Sequence, residues 1–119
     1  MAANNINAVK FEELIHGEKP VLVDFWAPWC GYCRRIGPAY DLIAQQYGGE
    51  VNVVKVNIDE EPKLAEEWKS EVIPTLVLYR GGQALASVTA PQSKADIERF
   101  IKEGLASSAG HNMERRRGR

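Results

Sequence analysis

The stretch "VLVDFWAPWCGYC" (Val21–Cys33) decides how the chain is read. Val21–Ala27 is almost wholly apolar and rich in β-branched and aromatic side chains, the pattern of a central strand covered on both faces. From Gly31 to about Tyr47 the apolar residues Ile36, Tyr40, Ile43, Ala44 and Tyr47 recur at threes and fours, which predicts an amphipathic helix. Pro38 lies inside it, where a missing amide and a clash with the preceding turn predict a kink. A strand running straight into a helix places Cys30 at the helix N-cap and Cys33 at its third residue.

Working outward, "VNVVKVNID" (Val51–Asp59) alternates as a strand does, and Glu60–Ser70 follows as a short acidic helix with Pro62 in its first turn. Strand, helix, strand, helix is the order of strands made parallel by helical crossovers. "TLVLYRGGQALASVTA" (Thr75–Ala90) then sets two strands around Gly81 and Gly82, a hairpin signal. Ser93 caps a last helix running to about Leu105, with Ile97, Phe100, Ile101 and Leu105 on one face and Asp96 three residues after the cap. Upstream, Ala8–Ile15 reads as a first helix burying Val9, Phe11, Leu14 and Ile15, after a short strand near Asn5–Asn7. The fold class is α/β: a central mixed sheet, half parallel βαβ and half antiparallel hairpin, flanked by helices in three α/β/α layers.

The 119 residues suit one domain with a single core, assigned to residues 1–106. Residues 107–119, "SSAGHNMERRRGR", form a basic tail expected to be flexible. That tail carries four arginines and one glutamate in a chain of net charge -1, so the body is mildly acidic and offers no footprint for nucleic acid. No run approaches the roughly 18 apolar residues of a membrane span. The start, "MAANNINAVK", shows no secretory pattern, and a cytoplasmic location is expected. With no long exposed apolar helix face, a monomer is expected.

The two cysteines carry the chemistry. At the first turn of a helix the free amides and the positive end of the dipole favour a thiolate at Cys30, with the amides of Tyr32 and Cys33 as donors. Cys33 faces inward and stays protonated until needed, and the spacing suits a disulfide. A reversible cycle follows, in which Cys30 attacks a substrate disulfide and Cys33 resolves the mixed disulfide. Asp24, a carboxyl in an apolar strand, is placed to take the Cys33 proton, and desolvation raises its pKa toward the range of a general base. Other readings stay open at this point: two inert core thiols, a satisfied buried Asp24, or half a zinc site. Zinc needs four ligands, and only His16 and His111 are at hand to complete the set, so no metal is expected.

"VDFWAPWCGYC", the helix proline Pro38, "VKVNID" and "IPT" at Ile73–Thr75 together resemble the thioredoxin family, in order and at near-identical separations from about Phe11 to Leu105. The resemblance implies the thioredoxin fold and a protein-disulfide reductase. Cys30 would be the attacking thiol and Cys33 the resolving one, with Asp24 the buried acid and Lys55 the strand lysine beside it. Trp26 and Trp29 would flank the site and Pro74 would be a cis proline. Trp29, Gly31, Tyr32, Ile73, Pro74 and Ala90 would form the substrate surface, the Ile73 backbone lying open to pair with a substrate strand. No cofactor is implied beyond the cysteine pair itself. Electrons would come from a thioredoxin reductase or another dithiol donor. A disulfide isomerase or oxidase, or a non-catalytic binding subunit, are the alternatives.

Tyr32 stands where the family mostly has proline, and its restored amide is expected to stabilise the Cys30 thiolate, making a weaker reductant by about 30 mV, or about 1.4 kcal/mol. Pro28 fills a usually polar position, and Ser70, Glu71 and Val72 precede Pro74 where relatives often show an apolar, a basic and a small residue. Ala90 occupies a place commonly held by glycine and would narrow the groove.

Overall fold

The computed structural model describes residues 3–68 and 72–110, with side chains described through 106. Its elements are β1 (Asn4–Asn5), α1 (Ala8–Ile15), β2 (Val21–Trp26), α2 (Gly31–Tyr47), β3 (Asn52–Asn57), α3 (Pro62–Glu67), β4 (Thr75–Arg80), β5 (Gln83–Thr89) and α4 (Lys94–Gly110). The sheet runs β1-β3-β2-β4-β5, with β1, β3 and β2 parallel and β4 and β5 antiparallel. This is the mixed three-layer thioredoxin fold expected from the sequence.

Alternation along β2 explains how the layers divide. Val21, Val23 and Phe25 point to one face, where Phe11 and Ile15 of α1 and Leu64 of α3 cover them. Leu22 points to the other, against Ile36, Tyr40 and Ile43 of α2 and Ile97 and Ile101 of α4. Asp24, two residues after Leu22, therefore enters the α2 side of a strand buried from Val21 through Phe25. On β3, Lys55 is registered directly beside Asp24, so the parallel pairing sets acid and base side by side on one face.

Two glycines answer to close geometry. Gly82, at φ +81, forms with Gly81, at φ +61, the tight turn joining β4 to β5. Gly104 sits where a Cβ would fall 2.5 Å from Leu78, so its missing side chain lets α4 lie down on the sheet.

Three sequence expectations need correction. Val9 is 69% exposed: Phe11 and Ile15 share the buried face of α1, and a residue two positions before Phe11 projects from the opposite side. The first strand is Asn4–Asn5 and ends before Asn7, which instead caps α1 by accepting from the Lys10 amide at 2.9 Å. The last helix, expected to end at about Leu105, runs on to Gly110: no residue between Leu105 and Gly110 is a helix breaker. The remainder of the basic tail, 111–119, and with it His111, lies outside the described residues, as do Ser70 and Glu71. No helix among the described residues is long and apolar enough to cross a membrane.

Candidate active site

β2 ends at Trp26, and the chain turns at Ala27–Cys30, closed by the Cys30 amide on the Ala27 carbonyl at 3.1 Å. Pro28 stands second in that turn, where a fixed φ is already the right one. Cys30 is the N-cap of α2, and its Sγ accepts from the Cys33 amide at 3.1 Å. Among the described residues this is the only backbone donor to that sulfur. The bond expected from the Tyr32 amide is not formed, because a cap side chain that reaches the third helical amide leaves the second pointing elsewhere. The potential shift expected from that amide therefore loses its structural cause.

Both cysteines are free thiols. Cys30 is 9% exposed and Cys33 4%, so even the outer sulfur opens to solvent only narrowly. Burial, followed by a hydrogen bond with Cys30, pushes the Cys33 thiol up to about 12. It is a closed, protonated group that cannot act until something removes its proton.

A buried carboxyl lines the same cavity as Cys33. Asp24 is 2% exposed, and burial raises its carboxyl from 3.8 to about 7, with Lys55 pulling down and Asp41 pushing up. Its Oδ1 has no hydrogen-bond partner in the protein. Asp24 and Cys33 line one cavity of roughly 280 Å³ together with Trp26, Asp41 and Lys55. The Lys55 ammonium lies 4.5 Å from the Trp26 ring centroid, a cation–π contact between two residues of the cavity lining. Asp41 was not singled out in the sequence, although the spacing was there: Cys33, Gly37 and Asp41 follow at fours on one face of α2. Tyr40 was read only as a core residue. Its buried hydroxyl donates toward the Leu22 carbonyl at 3.0 Å and the Val54 carbonyl at 2.7 Å, fastening α2 to β2 and β3 one turn below the site.

The outer face comes from the other half of the sheet. The Ile73–Pro74 bond is cis, and the Ile73 carbonyl lies 4.0 Å from Cys30 Sγ. The Thr75 hydroxyl donates back to the Val72 carbonyl and secures this loop. The Ala90 amide donates to the Pro74 carbonyl at 2.8 Å, tying the β5–α4 loop to the proline. Trp29 is 66% exposed, its indole N–H held by both Asp59 oxygens at 3.0 and 3.2 Å. Gly31, exposed, opens α2 beside it, and the Tyr32 hydroxyl donates to the Pro91 carbonyl at 2.7 Å. The fold thus brings Cys30, Cys33, Asp24, Lys55, Trp29, Gly31, Tyr32, Ile73, Pro74 and Ala90 around one helix end. Among the described residues there is no cluster of side chains able to hold a metal ion.

A dithiol at the first turn of a helix, with a buried carboxyl behind and an open backbone edge in front, defines a thiol–disulfide oxidoreductase. The thioredoxin family model matches residues 2–103. Thioredoxin 1 of a Nostoc species is 45% identical over 79% of this chain and 88% of its own. Thioredoxin 1 of Synechococcus elongatus is 42% identical over 88% and 98%. The crystal structure of a Malassezia sympodialis thioredoxin superposes with a TM-score of 0.78 at 31% identity, covering 87% of this chain and 90% of that one. The chain belongs to the thioredoxin family.

Proposed function

We propose that the protein reduces protein disulfides in the cytoplasm as a monomer, through a cycle in which Cys30 is the nucleophile, Cys33 the resolving thiol and Asp24 the proton acceptor. Cys30 Sγ, as thiolate, attacks one sulfur of the target. The target S–S bond breaks, a mixed disulfide to Cys30 forms, and the first target thiol leaves and takes a proton. Asp24 then accepts the Cys33 proton across a cavity large enough to hold water, and Cys33 Sγ attacks Cys30 Sγ. The second target thiol departs, and the Cys30–Cys33 disulfide keeps the two electrons' worth of oxidation until a thioredoxin reductase or another dithiol donor returns them. The cysteine pair is the only redox group this scheme uses. Lys55 tunes Asp24, while Trp29, Gly31, Tyr32, Ile73, Pro74 and Ala90 receive the substrate chain.

The observation that carries this reading is the Cys33 amide bonded to Cys30 Sγ beside the Ile73 carbonyl, a donor to the attacking sulfur next to a backbone group suited to pairing with a substrate strand. Cys30→Ser is expected to abolish reduction of insulin disulfides, and Cys33→Ser to accumulate a covalent mixed disulfide with its target. Turnover surviving in Cys30→Ser would overturn the assignment. The thioredoxin relatives favour a reductant over an isomerase or a purely binding role.

A further inference from the structure

The flanks of the thiol differ in charge. On the Trp29 side the indole rests on Asp59, followed by Glu60 and Glu61. On the Tyr32 side, α2 presents the exposed Arg35, while Arg34 projects to the other flank, where it lines the cavity of Asp24 and Trp26. Arg34 is spent on the Pro28 carbonyl at 3.0 Å. Arg35 makes no hydrogen bond or ion pair among the described residues, and its guanidinium lies 5.4 Å from the Tyr32 ring centroid. The ring itself is fixed by its hydroxyl on Pro91, so it is a rigid platform holding a cation in place.

Behind that platform is an open cleft of roughly 590 Å³, lined by Tyr32, Arg35, Ile36, Ala90, Gln92 and Ser93 among others. Ala90 lies on the substrate side of this cleft, bonded through its amide to Pro74. Asp96, which accepts from the amide of the cleft residue Gln92 at 3.1 Å, is already occupied by its pair with Arg99 at 3.2 Å. The guanidinium therefore faces the cleft uncompensated, with planar donors suited to a carboxylate.

We propose that this cleft is a substrate subsite that takes the side-chain carboxylate of an aspartate or glutamate flanking the target cysteine, with Arg35 as its specificity-determining residue and Tyr32 as the group that positions it. The proposal rests on the reading of Cys30 as the attacking thiol. A chain seated along Ile73 extends one of its ends toward the cleft and the other toward Trp29 and Asp59. The preference therefore has a direction: acid on one side of the target cysteine is favoured, and acid on the other meets Asp59, Glu60 and Glu61.

The experiment measures kcat/KM for matched disulfide peptides carrying glutamate or glutamine either before or after the target cysteine, for wild type, Arg35→Gln and Lys102→Gln. Lys102 is an exposed cation on α4 outside the cleft, so its loss tests net charge alone. Wild type is expected to favour glutamate on one side about three- to five-fold at low salt, the preference fading as salt is raised. Arg35→Gln brings that ratio close to one, and Lys102→Gln leaves it standing. A preference equal on both sides, or lost equally in both variants, overturns the subsite while leaving the thiol chemistry intact. Failure of the wild type to reduce any of the peptides removes the redox reading itself, a distinct result.

Discussion

The parallel half of the sheet and the antiparallel half meet at β2–β4, and they supply different materials to the same helix end. The parallel half contributes the side chains of the proposed cycle: Cys30 and Cys33 at the start of α2, Asp24 on β2 and, tuning it, Lys55 on β3. The hairpin half contributes backbone that receives: the cis Ile73–Pro74 segment and Ala90, joined by one hydrogen bond. A reacting group must be held out of water to shift its proton affinity, which costs folding energy. A receiving edge needs only its carbonyls and amides left open, which costs little. Stability and catalysis should therefore conflict on one side of the seam and hardly at all on the other.

Asp24→Asn breaks the comparison at its strongest point. The folded protein keeps the Asp24 proton up to about pH 7, whereas a carboxyl in the unfolded chain releases it near 3.8. Over that window the native state binds more protons, so the wild type loses stability as pH rises from about 4 and reaches its low plateau above about 7. A neutral amide escapes this loss. At 1.36 kcal/mol per pH unit, Asp24→Asn should be more stable than wild type by several kcal/mol near pH 8, on the order of 4, and about equal to it near pH 3. Release of the mixed disulfide should slow in the same variant. Denaturant unfolding across this range checks the first expectation and rapid-quench kinetics the second; a stability difference independent of pH would show that Asp24 is not titrating where its burial says.

A smaller effect is expected from Lys55→Met. The ammonium lowers the Asp24 proton affinity, so its removal shifts the pH midpoint of the resolving step upward. Because burial outweighs the lysine among the causes, and Lys55 is itself only half-buried, the upward shift should be smaller than the one burial produces. Rates compared well above the midpoint should coincide with wild type. A midpoint that moves to lower pH would mean that the lysine acts on Asp24 by some route other than its charge.

How much of this was legible in the sequence follows the same seam. The parallel half could be read almost whole, since its signals are local: an apolar strand, a helix period, and two cysteines fixed by spacing within that helix. Even the Asp24–Lys55 pairing was reached only through the family resemblance, because register between two strands is not written in either one. What the hairpin half does at the site is written in neither period nor propensity. The Tyr32 hydroxyl bonding to Pro91 joins residues 59 positions apart. Tyr32 was instead valued for its amide, a local feature, and there the local argument chose the wrong atom. Val9 failed for a related reason, since an apolar residue was counted toward a face without checking its angle around the helix.

The hairpin side can be tested where it carries its own small conflict. Ala90 sits at φ +50, in the left-handed region that a Cβ disfavours, in a position bonded to Pro74 and bordering the cleft behind Tyr32. Ala90→Gly removes a backbone strain of about 1 kcal/mol, and glycine's greater freedom in the unfolded chain takes back about half to all of it. Stability should therefore change by less than about 1 kcal/mol. The methyl also borders the path a substrate chain would take, so its loss should lower KM while leaving kcat and the pH profile where they are. Urea unfolding beside peptide kinetics separates the two effects. If the variant instead moved the pH midpoint of the resolving step, the receiving edge would be coupled to the Asp24 cavity, and the division of labour across β2–β4 would have to be abandoned.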